Sequence, residues 1–88
     1  MRTQATNTFL KQLAALPDGI RERVEKFAFE ELPELGTLRD ADNIKKLQGY
    51  KNCFRARFGE YRVGIEIEEG VAVLRVVLHR RNVYRRFP

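Results

Sequence analysis

Eighty-eight residues support one domain and one modest core, so any function has to be built on a single small scaffold. Seventeen Lys and Arg against twelve Asp and Glu leave a formal net charge of +5, unevenly placed: residues 1–44 carry six basic and eight acidic side chains, residues 45–88 eleven and four. No apolar run reaches the roughly 18 residues of a membrane span, and a single cysteine makes neither an internal disulfide nor a metal-ligand set, so the chain reads as a cytoplasmic domain without membrane, metal or cofactor whose basic half meets a polyanion.

The opening "MRTQATNTFLKQL" has no apolar signal core, and "MRTQAT" has the position of an edge strand without the alternation that establishes one. "FLKQLAALP" sets Phe9, Leu10, Leu13 and Leu16 at helical spacing, with Thr6 to Thr8 as N-cap candidates and Pro17 as a stop. Asp18 is suited to cap a second helix, in which Ile20, Val24, Phe27, Ala28 and Leu32 form an apolar stripe and Arg21 to Lys26 a mixed solvated face. The two helices read as a hairpin. "PELGTLRDADNIKKLQG" is a connector with at most one helical turn near Asn43 to Leu47.

From Tyr50 the pattern changes to period two, giving three antiparallel strands. A tight turn at Gly59-Glu60 sets Phe58 against Tyr61, Arg57 against Arg62, Ala56 against Val63 and Arg55 against Gly64. A second turn at Glu69-Gly70 sets Ile67 against Ala72 and Ile65 against Leu74. Continued without interruption, it sets Gly64 against Arg75, Val63 against Val76 and Tyr61 against Leu78.

One face is then apolar and awaits the helices. The other collects Arg55, Arg57, Arg62 and Arg75 around a hollow at Gly64, with His79 on the same side opposite Glu60. Arg57 directly opposite Arg62 costs on the order of 0.2–1 kcal/mol, a repulsion that a bound anion would reverse. Surface ion pairs to Glu66 and other acids are the competing reading. Cys53 reads as a small apolar filler, and Lys45, Lys46 and Lys51 as either an RNA grip or a solubilising loop. The fold expected is α+β, an N-terminal helical hairpin packed on a three- to four-stranded, mainly antiparallel twisted sheet.

The segment "IKKLQGYKNCFRARFGEYRVGIEIEEGVAVLRVVLHRRNVY" resembles the RelE family of bacterial and archaeal toxins, within the RelE/ParE superfamily. The features that carry the resemblance are the leucine-glycine segment, alternating basic residues on one strand, the "G-x-Y-R" hairpin, an apolar last strand and the closing "H-R-x-x-x-Y". With the helical hairpin broken at "LP", the resemblance covers residues 8–86. It implies a ribosome-dependent endoribonuclease that cleaves mRNA in the A site without metal, by 2′-hydroxyl attack, and that a cognate antitoxin restrains.

On this resemblance Arg62, Arg80 and Tyr84 are the catalytic candidates, the arginines on the reacting phosphate and the tyrosine stacked on a base. Arg55, Arg57, Lys51, Arg75 and Arg81 are candidates for RNA and phosphate binding. Several relatives carry lysine where this chain has Arg55 or Arg57, and a guanidinium is a poor proton acceptor. His79, Glu66, Tyr84 and the ribosome's own RNA are the remaining candidates for proton transfer. The alternatives are a gyrase inhibitor like the ParE branch, without nuclease activity, and a degenerate toxin that only binds its antitoxin.

Overall fold

A computed structural model describes residues 1–88. The elements in chain order are β1 (Arg2–Ala5), α1 (Asn7–Ala14), α2 (Asp18–Lys26), a π-helical turn (Phe27–Glu31), α3 (Leu32–Glu34), a 3-10 turn (Leu38–Asp40), β2 (Ile44–Lys46), β3 (Cys53–Phe58), β4 (Tyr61–Glu68), β5 (Val71–His79) and α4 (Arg80–Arg86). They form one five-stranded sheet in the order β1-β5-β4-β3-β2. The α+β class holds, but the two helices follow a first strand and do not open the chain. The sheet is wider than expected and mixed, because β1 runs parallel to β5.

Thr6 caps α1, its hydroxyl accepting from the Phe9 N–H. Pro17, and not Asp18, occupies the N-cap of α2, where its lack of an N–H costs nothing and no side chain caps the helix. Pro33 lies on the helical run that follows; it offers no N–H to the Phe29 carbonyl and its ring crowds that carbonyl, and the turn before it widens to π geometry. Phe9, Leu13, Leu16, Val24, Phe27, Ala28 and Leu32 from the helices meet Ala56, Phe58, Val63, Ile65, Ala72, Leu74 and Val77 from the sheet in the main core. The apolar stripe of α2 is therefore the buried one.

The first hairpin has the expected register throughout. Only Gly59 takes positive φ in its turn, as a type II′ turn requires, whereas Glu69 and Gly70 both do in the second, the type I′ pattern. The second hairpin keeps Ile67 against Ala72 and Ile65 against Leu74, then shifts by one. Arg75 is the extra residue of a β-bulge, so Gly64 faces Val76, Val63 faces Val77, Arg62 faces Leu78 and Tyr61 faces His79.

Three hydrogen bonds, two of them made by side chains, hold the bulge. The Thr6 hydroxyl donates to the Arg75 carbonyl at 3.0 Å, the Thr6 N–H donates to Leu74 O at 3.0 Å, and Val77 N–H donates to Gln12 Oε1 at 2.9 Å. The helix hairpin thus supplies partners that the ladder leaves out.

The expected helical turn near Asn43 to Leu47 is instead β2. Ile44, Lys45 and Lys46 pair with Ala56, Arg55 and Phe54, and Asn43 extends the pairing by bonding the Arg57 backbone on both sides. The sequence also left α4 unread. Its Val83, with Phe87 just after it, packs with Cys53 and Val76 on the sheet face opposite the helix hairpin, in a second small core flanked by Leu47 and Leu78. No helix is long and apolar enough to cross a membrane.

Candidate nucleic-acid interface

A cleft of about 520 Å³ opens where β2, β3 and β4 meet the outer side of α4. Lys45, Lys46, Arg55, Arg57, Arg62 and Tyr84 line it, and Asp42 is its single carboxylate. The alternation of β3 and the pairing of Lys45 with Arg55 and of Arg57 with Arg62 bring the cations together. The five salt bridges of the molecule engage Arg21, Arg75 and Arg80, so none of the five cleft cations has a carboxylate partner. Such a group of unneutralised donors suits phosphate oxygens.

Each arginine is held differently. Arg62 Nη1 donates to the turn carbonyls of Gly59 at 2.7 Å and Tyr61 at 2.9 Å, which anchors its guanidinium at the β3–β4 turn. Arg57 is exposed, with its guanidinium free for a ligand. The Arg55 guanidinium lies over the Tyr84 ring, 4.4 Å from its centroid, and Nη2 donates to Phe87 O at 3.2 Å. Its Nε is buried without an acceptor. Arg55 therefore ties α4 to the sheet and fixes Tyr84, which stays 70% exposed on the cleft.

Several sequence-derived candidates lie elsewhere. The bulge turns His79 to the helix-hairpin side, where it packs edge-on against Tyr61 at 5.4 Å, and its Nδ1 accepts from the Arg81 N–H at the start of α4. His79 is thus a helix cap on the face away from Arg55, Arg57 and Arg62. Arg75 Nε and Nη2 bond Glu66 at 2.9 Å and Glu68 at 2.7 Å, and Asn52 donates to the other oxygen of Glu66. Glu66 pairs with Arg75, then, and not with Arg55, and both are outside the cleft.

Arg80 pairs with Glu60 at 2.7 Å, also beyond the cleft lining, while Arg81 is exposed on α4 and Lys51 on the turn after β2. The hollow expected at Gly64 is filled by the Phe87 ring and is not open to an anion. Cys53 is 2% exposed in the second core, the filler expected; burial pushes its thiol pKa up, with Glu66 adding to the rise.

Lys45 and Lys46, for which the sequence left an RNA grip and a solubilising loop as alternatives, line the cleft, whereas Asp42, Asn43 and Gln48 are lining residues to which the sequence assigned no role. The signal present was the pair of adjacent lysines in a segment with no acid from Asn43 to Gly59. No three His, Cys, Asp or Glu side chains are grouped so as to hold a metal ion.

Residues 4–84 match the model of the ParE toxin family of type II toxin-antitoxin systems, parDE. Over the full length of both chains, the sequence is 40% identical to toxin RelE3 of Methanocaldococcus jannaschii. The fold is similar to the toxin in the RelB-RelE antitoxin-toxin complex from Methanococcus jannaschii, with a TM-score of 0.79 at 39% identity over 97% of this chain and 99% of that one. It is similar also to a chain of the RelBE2 toxin-antitoxin complex from Mycobacterium tuberculosis, with a TM-score of 0.68 at 29% identity over 90% and 96%.

Proposed function

This chain belongs to the RelE/ParE family and is a RelE-type toxin of a type II toxin–antitoxin system, and on that premise we propose that it is a ribosome-dependent endoribonuclease cleaving mRNA in the A site. The observation that carries the reading is the cleft of five cations without carboxylate partners beside an exposed tyrosine. A cognate antitoxin is the expected protein partner, as in the RelB-RelE complexes.

In the proposed reaction a ribose 2′-hydroxyl attacks the adjacent phosphorus, its proton leaves to a base, and the P–O5′ bond breaks. The products are a 2′,3′-cyclic phosphate and a 5′-hydroxyl, the latter taking up a proton. Negative charge builds on the phosphoryl oxygens, where Arg62 and Arg57 are the donors at hand; one such preorganised donor is worth about 10²–10³ in rate. Tyr84 stacks on a base, and Arg55 holds Tyr84 in place as a positioning residue.

Arg80 joins the phosphate by exchanging Glu60 for it, a small cost because both side chains of that pair are more than half exposed. The groups on the cleft that can exchange a proton are Asp42, Lys45, Lys46 and Tyr84. Arg81 and Lys51 serve as outlying contacts to RNA.

The test is a translation extract with a defined mRNA, its 5′ ends mapped by primer extension for wild type, Arg62→Ala, Arg80→Ala and Tyr84→Ala. New ends at A-site positions on translated mRNA, reduced about 10²–10³-fold by Arg62→Ala, support the reading. Intact mRNA with translation unaffected sinks it. The family model carries the ParE name, so a DNA gyrase supercoiling assay comes next in that event: inhibition there means a ParE-like inhibitor, and no effect a toxin reduced to antitoxin binding.

A further inference from the structure

A second aromatic side chain stands in the basic half of the molecule with no structural duty. Tyr50 is 50% exposed and belongs to neither hydrophobic core. It sits on the turn between β2 and β3, and that turn is ordered. Leu47 N–H donates to Cys53 O at 2.8 Å, Tyr50 N–H donates to Leu47 O at 3.3 Å, and Leu47 packs on the second core. Gly49 takes φ +86 with open space around it, a conformation that lets the chain reverse and present the next ring outward.

Around the ring is an open depression of about 500 Å³, lined by Lys46, Leu47, Gln48, Gly49, Tyr50 and Lys51. Lys46, Leu47 and Gln48 line the cation cleft as well, so the two surfaces are continuous. Neither lysine has a salt-bridge partner, and the sequence carries no acid between Asn43 and Gly59. An exposed ring among free ammonium groups is the arrangement that single-stranded nucleic acid uses: the ring takes a base face of any identity and the cations take the flanking phosphates.

We propose that the Leu47–Lys51 turn is a second RNA subsite, at which Tyr50 stacks on an unpaired base while Lys46 and Lys51 hold the adjoining phosphates. The proposal rests on the reading of the cleft as an RNA site and extends that site by one stacking step beyond Tyr84. The RNA strand then meets one aromatic platform in the cleft and a second in the adjoining depression, and two stacking points fix the register of the phosphates more closely than one.

The experiment is fluorescence anisotropy of a short fluorescein-labelled single-stranded RNA, 2′-O-methylated to block the attack proposed above, with the full-length wild type, Tyr50→Ala, Tyr50→Phe, Lys51→Ala and Tyr84→Ala. The expected result is a loss of affinity of about 5- to 150-fold for Tyr50→Ala and near-wild-type affinity for Tyr50→Phe, which keeps the ring. Lys51→Ala lowers the magnitude of the log–log salt slope by about 0.7. Equal urea midpoints for Tyr50→Ala and wild type exclude unfolding as the cause.

If Tyr50→Ala binds as wild type does while Tyr84→Ala is weakened, the subsite is overturned and the cleft reading stands. If wild type binds no RNA and cleaves no mRNA on the ribosome, both fall together. Titration with polyglutamate supplies the last arm: binding lost in Tyr50→Ala with RNA affinity intact assigns the turn to an acidic protein partner and overturns the proposal.

Discussion

Gly64→Ala tests how α4 is fixed to the sheet. A Cβ at this position would lie 2.7, 2.8 and 2.9 Å from three carbons of the Phe87 ring, where unstrained carbon contacts begin at about 3.5 Å. The β4 backbone is paired on both sides and cannot yield, so the ring leaves its seat. Phe87 is 4% exposed, and unseating it forfeits about 1.5–3 kcal/mol of burial, in line with the 1–3 kcal/mol usual for overpacking. For a domain of this length that is a sizeable part of a total stability of about 4–13 kcal/mol.

Urea unfolding followed by far-UV circular dichroism, at a slope of about 1 kcal/mol/M, should show the midpoint falling by about 1–3 M. The backbone carbonyl of the same residue anchors Arg55 and, through it, Tyr84, so the proposed mRNA cleavage should fall although no side chain of the cleft has been changed. The decisive arm is the double variant. With Phe87→Ala the space is open and Gly64→Ala adds almost nothing, giving a coupling of about 1–3 kcal/mol. An unchanged midpoint for Gly64→Ala, or additive costs in the double variant, refutes the argument that the ring occupies this hollow.

Gln12→Ala removes the acceptor of the Val77 N–H at the bulge and should cost about 1–3 kcal/mol by the same urea assay, with Gln12→Glu retaining most of the stability. Glu60→Gln frees Arg80, and single-stranded RNA should bind more tightly, by no more than about 5-fold because the pair is exposed; weaker binding would show that Glu60 has another role. Cys53 should resist a thiol reagent such as dithionitrobenzoate in the folded protein and react at once in urea. Its thiol pKa is raised in the folded state, so the unfolded chain loses that proton first on alkalinisation. Stability from the neutral buried thiol is complete below the ordinary thiol pKa and is lost as pH climbs through the raised one; Cys53→Ala should flatten that decline in urea midpoint.

The sequence by itself determined what rests on short-range pattern. Helical spacing and Pro17 separated α1 from α2, the Gly59-Glu60 turn carried the whole β3–β4 register, and alternation on β3 aimed Arg55 and Arg57 at the face of Arg62. The "G-x-Y-R" and "H-R-x-x-x-Y" segments carried the family. Tertiary structure decided the rest, because the determining partners are remote in the chain. "VAVLRVVL" is apolar at nearly every position, so its parity is invisible; the bulge at Arg75 buries Val76 and Val77 on opposite faces and turns His79 away, and it exists because Thr6 and Gln12 satisfy the backbone there. "MRTQAT" and "IKK" are too short and polar to declare themselves as strands, and each becomes one only by meeting an open sheet edge. Which arginines are free to bind a phosphate was decided the same way: Arg75 is neutralised by Glu66 and Glu68, Arg80 is paired to Glu60, and Arg55 is spent on Tyr84 and Phe87. Arg57, Arg62, Lys45 and Lys46 remain facing the cleft with no salt bridge to any carboxylate.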